Sequence, residues 1–178
     1  MGTHVGPKIC HTTGRQLTMA FRAATAFFGH MGLEVNLLEE TAEDLETLKS
    51  AITLHKKHRN LLHTGAFYRL PTSKVSNGVG VVAGDKAEAI YSFAQLLSDP
   101  ATSARRLRLP GLDPSTRYIT KLIWPLSNVS PTKPSIVDAA NLLGQGAVFS
   151  GEALSTHGIQ LPSLLPNTCL IYHLEKER

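Results

Sequence analysis

The sequence predicts an α+β fold in which a short strand and two helices precede an antiparallel β-sandwich. Two segments between residues 17 and 63 are rich in good helix formers. From residue 66 onward, short segments rich in Val, Ile, Tyr, Phe and Leu alternate with Gly, Pro, Asn and Asp, a texture typical of antiparallel strands and turns. This change of texture predicts two domains, residues 1–65 and residues 66–178.

The composition excludes several protein classes. Apolar residues make up 42% of the chain and charged residues 18%, as expected of a globular protein and not of a disordered tail. The sequence contains no run of about 18 or more apolar residues and no secretory leader pattern, so we expect no membrane span. The two cysteines stand far apart in sequence, which predicts reduced thiols and a cytoplasmic protein.

The formal charge of +4 arises partly from local basic pairs and is modest. Such pairs usually lie on solvated faces, and few aromatic residues accompany them, so we expect no nucleic-acid partner. The glycines around Val79 lack the spacing and the strand-to-helix setting of a dinucleotide loop, and we expect no cofactor.

The N-terminal strand, residues 1–5, leads through a polar loop into a helix predicted over residues 17–31, with Gly32 as its stop. This helix is apolar on nearly all sides, whereas a surface helix has a single apolar stripe. We therefore expect it to be exposed and prone to self-association unless further chain covers it. For the same reason we interpret the sequence as the C-terminal piece of a larger enzyme.

The second helix is predicted over residues 42–63. Thr41 and Asp44 form a capping-box pattern at its start, and Gly65 follows its end. Its apolar residues follow amphipathic spacing, which predicts packing on one side.

The remaining elements are predicted strands. Turn signals between them, such as Gly84-Asp85, indicate antiparallel connections in a sandwich or an open barrel. The predicted strands are Phe67–Leu70, Val79–Ala83, Ala87–Leu96, Arg105–Leu109, Arg117–Trp124, Gly146–Phe149 and Thr168–His173, with a short edge strand over 158–162.

Three blocks of the sequence carry a resemblance to a known family. The sequence resembles microbial α-galactosidases of glycoside hydrolase family 36 in these three blocks. They are MGTHV, HTTGR, FRAA and GHMGLE at the N-terminus, LHKKHRNLLHTG in the second helix, and GEAL to GIQLP near the C-terminus. The resemblance spans essentially the whole chain, and its N-terminal blocks are the more specific.

The resemblance implies a retaining enzyme built from an N-terminal β-domain, a (β/α)8 barrel and a C-terminal β-domain, often assembled as an oligomer. Residues 1–65 would then be the last β/α unit of the barrel, and residues 66–178 the C-terminal β-domain. Two aspartates perform the chemistry in such enzymes, but no Asp or Glu precedes Glu34 here, so neither catalytic residue is present. The implied partners are the rest of the barrel, the N-terminal domain, an α-galactoside substrate and a possible second copy of the enzyme.

Because active sites of such barrels lie on the loops after the strands, the resemblance points to His4, His11 and Arg15 as the nearest candidate site residues. They would form the rim of the substrate pocket or support it through hydrogen bonds. Anchoring of the loop and capping of the following helix is the structural alternative, and we favour it.

Other residue clusters have ordinary explanations. His55, His58 and His63 share a helix without acidic or cysteine ligands at zinc spacing, so we predict no metal site. Cys10 and His11 are adjacent, and neighbouring side chains seldom meet, which disfavours a catalytic thiolate. A stand-alone carbohydrate-binding sandwich stays open as the alternative function, and it would need an exposed aromatic platform such as Trp124.

Overall fold

The computed structural model describes residues 2–98, 105–125 and 146–178. The chain divides into two compact units, Met1–His63 (unit 1) and Thr64–Arg178 (unit 2). Among the described residues, no helix combines the length and the apolar character needed to cross a membrane.

Unit 1 alternates strands and helices. Strand β1 is followed by helix α1, strand β2, a short 3-10 turn and helix α2, and the two strands are parallel with Gly2 opposite His30 and Val5 opposite Leu33. The bounds are β1 Gly2–Val5, α1 Met19–Ala26, β2 His30–Leu33, the 3-10 turn Leu37–Glu39 and α2 Ala42–Thr64. The helix predicted over residues 17–31 was therefore wrong at its C-terminal end, where the chain pairs with β1 instead.

Helix α1 begins at a cap that satisfies a free helix amide: the Thr18 hydroxyl accepts a hydrogen bond from the Phe21 amide at 3.2 Å. Most of its side chains are buried, including Met19 and Phe21, at 1% and 6% exposed. The expectation that this helix would expose a large apolar area was therefore wrong. The exposed apolar residues of unit 1 lie elsewhere, at Ile9, Leu33, Leu37, Leu38 and Leu45.

Helix α2 starts at the predicted capping pair. The Asp44 amide donates to the Thr41 hydroxyl at 3.1 Å, and that hydroxyl donates to the Asp44 carboxylate at 2.8 Å. On the buried side of the helix, the His55 imidazole lies 3.0 Å from the Gly29 carbonyl oxygen. His55 is thus a core histidine with a hydrogen-bonding partner.

Unit 2 is built on a six-stranded antiparallel sheet with the order β3-β4-β5-β10-β7-β8, and a two-stranded sheet β6-β9. The central strand β10 pairs on one side with β5 and on the other with β7. The bounds are β3 Ala66–Arg69, β4 Ser76–Val82, β5 Glu88–Gln95, β6 Arg106–Leu107, β7 Arg117–Trp124, β8 Ala147–Ser150, helix α3 Gly151–Thr156, β9 Ile159–Gln160 and β10 Thr168–Lys176.

The core of unit 2 lies between one face of the six-stranded sheet and a thinner layer formed by the β6-β9 pair, α3 and nearby loops. Tyr91, Leu170 and Tyr172 contribute from the sheet, while Leu109 and Leu154 contribute from the covering layer, and all five are at most 1% exposed. This arrangement confirms the predicted α+β class with an antiparallel second half. Each predicted strand is present, β7 with its predicted ends and the others with one or both ends shifted, whereas helix α3 was not predicted.

Candidate functional site

The candidate site lies where the strands of unit 1 end. Residues 6–18 connect β1 to α1, and residues 34–41 connect β2 to α2, so both connections leave the C-terminal ends of two parallel strands. In parallel α/β folds these ends are the usual place for binding and catalytic groups.

His4 lies on β1 and faces away from α1. Its neighbours Thr3 and Val5 face the helix side, because the Thr3 hydroxyl donates to the Ala26 carbonyl at 2.7 Å and Val5 is fully buried. Side chains alternate along a strand, so His4 points to the opposite face. Its imidazole Nδ1 lies 3.9 Å from the Glu34 carboxylate, and both side chains are largely exposed.

The glycine beside His4 leaves room for its ring. Gly32 is the register partner of His4 on β2, and a Cβ placed there would lie 3.0 Å from the His4 Cδ2. A larger residue at this position would force the imidazole to move. Gly32 and the His4 imidazole therefore lie in close contact on this face of the strand pair.

His11 and Arg15 lie on a small hairpin, which we define as residues 8–17. Its arms meet in an antiparallel bridge between Ile9 and Gln16, and the Leu17 amide donates to the Lys8 carbonyl at 2.9 Å. Across the tip, the amide of Cys10 donates to the carbonyl of Arg15 at 2.9 Å, and the amide of Gly14 donates to the carbonyl of Cys10 at 2.8 Å. The structure thus places His11 and Arg15 on one hairpin, and His4 on the strand that precedes it.

The tip of the hairpin creates an unusual thiol environment. The Cys10 sulfur lies 3.3 Å from the Thr12 hydroxyl oxygen. Hydrogen bonds from the Thr12 hydroxyl, and next from the Thr13 hydroxyl and the local backbone, lower the pKa of Cys10 to about 6. A thiolate near neutral pH is a reactive nucleophile.

A buried ion pair joins the two connections at the strand ends. Arg22, on α1, donates from Nη1 and Nη2 to the two carboxylate oxygens of Glu40 at 2.7 and 2.9 Å, and both side chains are 3% exposed. Nη1 also donates to the Gly6 carbonyl oxygen at 2.9 Å. The Arg22 guanidinium thereby binds both Gly6, which follows β1, and Glu40, which lies two residues before α2 begins.

Sequence reasoning missed this pair. The available signal was Arg22 itself, a charged residue inside an otherwise apolar helix, because such a residue is rarely buried without a partner. The partner could not be identified from spacing, since Glu40 lies 18 positions away in a loop. Gly32 was interpreted only as a helix stop, although it lies within β2, directly beside His4.

The aromatic platform required by the carbohydrate-module alternative is not found at Trp124, which is only 2% exposed. In the described part of unit 2, an open depression of about 400 Å³ is lined by Pro71, Arg106, Arg108, Thr156 and His157, without an aromatic side chain. Neither feature favours sugar stacking.

Comparison with known proteins assigns both units. The protein family described as "Glycosyl hydrolase family 36 C-terminal domain" matches residues 77–174, which is more than half of the chain. The family described as "Melibiase" matches residues 1–65. The alpha-galactosidase of Escherichia coli is 35% identical over 99% of this chain and 25% of its own length. Alpha-galactosidase 1 of Pediococcus pentosaceus is 31% identical over 97% of this chain and 21% of its own length.

Solved structures show the same fold. The alpha-galactosidase AgaA of Geobacillus stearothermophilus superposes with a TM-score of 0.81 at 24% identity, covering 99% of this chain and 22% of that one. The galactosidase domain of AgaSK superposes with a TM-score of 0.82 at 23% identity, with the same coverage. The chain spans about a quarter or less of the length of the relatives it matches. On these grounds, this chain belongs to glycosyl hydrolase family 36.

Proposed function

We propose that this chain is the C-terminal part of an enzyme that hydrolyses terminal α-galactosides. Unit 1 would complete a (β/α)8 barrel, and unit 2 would be the C-terminal β-domain. The relatives named alpha-galactosidase support the substrate, and the observation that carries the barrel assignment is the parallel pair β1-β2 with its β-α-β-α order. Parallel strands occur almost only in larger sheets covered by helices, and two strands alone form a marginal sheet.

The chemistry would come from the upstream part of the enzyme. A retaining glycosidase needs two carboxyl groups about 5 Å apart across the scissile bond. In unit 1 the acidic groups near the strand ends are engaged with other partners: Glu34 with His4, Glu39 with Asn36, and Glu40 with Arg22. The chain would therefore be structural, and inactive by itself.

The candidate site residues gain a role in this setting. In a barrel, side chains that point away from the helix layer face the interior. His4 would face that interior, and the hairpin with His11 and Arg15 would form part of the pocket rim. The remaining partners would be the preceding barrel strands, the N-terminal domain and the α-galactoside.

Location and assembly are part of the proposal. Both cysteines are free thiols, which supports a reducing compartment and hence the cytoplasm. A homo-oligomer of the complete enzyme is also proposed, because enzymes of the family that the chain resembles are often assembled as oligomers.

The test is complementation. The purified chain is offered p-nitrophenyl α-galactoside alone, and then after co-expression with the upstream segment of the Escherichia coli relative. We expect no turnover from the chain alone and hydrolysis after complementation, with light scattering reporting the mass of the complex. Turnover by the chain alone, or no hydrolysis by a stable complex, would contradict the proposal.

A further inference from the structure

We infer that the Arg22–Glu40 pair is a positioning device that holds the hairpin at the substrate pocket, an inference that rests on the proposed function for its catalytic consequence. Neither residue would touch the sugar. Both would act through the hairpin, and Arg22 would hold its base.

The geometry gives the pair a fixed orientation. A bidentate contact between a guanidinium and a carboxylate constrains both the distance and the plane of the two groups, unlike a single point contact. Here both carboxylate oxygens are engaged, at 2.7 and 2.9 Å. Glu40 therefore fixes the plane of the Arg22 guanidinium relative to the connection that follows β2.

Arg22 passes this orientation to the hairpin. The Gly6 carbonyl that it binds directly follows β1 and lies two residues before the hairpin begins. Beside it at this strand end, the Glu34 amide donates to the Val5 carbonyl at 3.0 Å. Without Arg22, the entry to the hairpin would lose its side-chain anchor, so the hydrogen bonds within the hairpin would open more often.

Because the pair is buried, we expect substitution of one partner alone to lower the stability of the fold strongly. Both side chains are 3% exposed, so removing one charge leaves the other buried without compensation. Replacing both with apolar residues of similar size is often neutral for stability. This difference separates positioning from stability, because the apolar pair would keep the core filled but could not bind the Gly6 carbonyl.

The experiment compares Arg22→Met/Glu40→Leu with the unchanged chain by amide hydrogen exchange. We expect faster exchange at the hairpin amides of Cys10, Gly14 and Leu17, with unchanged protection in strands β5 and β10. Glu46→Gln/Lys49→Met is the matched control, because it removes both charges of an exposed ion pair whose side chains are each 73% exposed. This control should leave the hairpin unchanged.

The second measurement uses the complemented enzyme. We expect the double variant to lower kcat/KM about ten-fold, mainly through KM, since small misplacements of a binding group cost up to about a hundred-fold. Unchanged exchange in the hairpin would overturn the inference, and so would a uniform loss of protection along the chain, because the pair would then hold the whole fold. A stable complex without hydrolysis would contradict the proposed function, while the exchange result would still decide whether the pair holds the hairpin.

Discussion

At the scale of single residues, the two cysteines have opposite chemistry. Cys10 is at the hairpin tip, where hydroxyl hydrogen bonds lower its pKa to about 6, whereas burial raises the pKa of Cys169 to about 12. The thiolate is the form that attacks an alkylating agent. At neutral pH the Cys10 thiol is therefore mostly deprotonated and reactive, whereas the Cys169 thiol is protonated and inert.

This contrast predicts the pH dependence of alkylation. Because the pKa of Cys10 is lowered, its rate of reaction with iodoacetamide should rise as the pH increases through about 6 and level off above neutrality. Thr12→Val removes the first of the hydroxyl partners and should shift this rise to higher pH. Mass spectrometry of quenched samples measures the rate, and Cys10→Ser should remain unlabelled over the same time.

Thr53→Val is the control for this prediction, since its hydroxyl donates to the Lys49 carbonyl on the exposed side of α2. Its alkylation profile should match that of the unchanged chain. An unaltered profile in Thr12→Val would show that the hydroxyl has no influence on the thiol.

At the scale of elements, one glycine determines how β4 and β5 pack. Gly80 is the register partner of Tyr91, and a methyl group at Gly80 would overlap the tyrosine ring. The ring cannot easily move, because Tyr91 is fully buried and its hydroxyl donates to the Pro110 carbonyl at 2.5 Å. Glycine at this position is therefore a packing requirement.

Gly80→Ala should lower the free energy of unfolding by about 1–3 kcal/mol, as expected for overpacking a rigid core. Gly84→Ala is the matched control in the turn after β4, where an added Cβ meets nothing within 4 Å. Its effect should stay within about 0.5 kcal/mol. Urea unfolding followed by circular dichroism measures both, and equal midpoints for the two variants would contradict the packing argument.

Sequence patterns predicted the long elements better than the short ones. The alternation in β7 and the Thr41–Asp44 cap are local signals, and both appear in the structure. Strand β2 has four residues, including a glycine, and exists because it pairs with β1, which lies more than 20 residues earlier. No local pattern encodes such a pairing, so the predicted helix ran on through it.

In the candidate site, too, local features could be predicted from the sequence and long-range contacts could not. His4, His11 and Arg15 were identified from a contiguous block, and the structure places them near the end of one strand and on the hairpin that follows. The Arg22–Glu40 pair joins a helix to a distant loop. Its existence depends on tertiary geometry, which the spacing of residues along the chain does not express.

At the scale of the whole molecule, the parallel pair in unit 1 has unpaired edges among the described strands, since β1 pairs with β2 and neither pairs with a further strand. In a closed barrel each strand has two neighbours, so every backbone amide of the ladder gains a partner. If the chain completes such a barrel, the edges of this pair must become protected.

Amide exchange tests this directly. In the isolated chain, amides of residues 2–5 and 30–33 should exchange much faster than those of β5 and β10, which lie inside the six-stranded sheet. After complementation with the upstream segment, both groups should be protected to a similar degree. Unchanged exchange at the two parallel strands in an active complex would show that they do not join the barrel.

The position of β10 in its sheet has a consequence for folding during translation. This strand lies between β5 and β7, yet it leaves the ribosome after all five of its companions. Until β10 has been synthesised, the backbone edges of β5 and β7 that pair with it are therefore unpaired, and chains aggregate through such edges. Slow codons between the β7 and β10 coding regions would prolong that interval and increase the demand for chaperones.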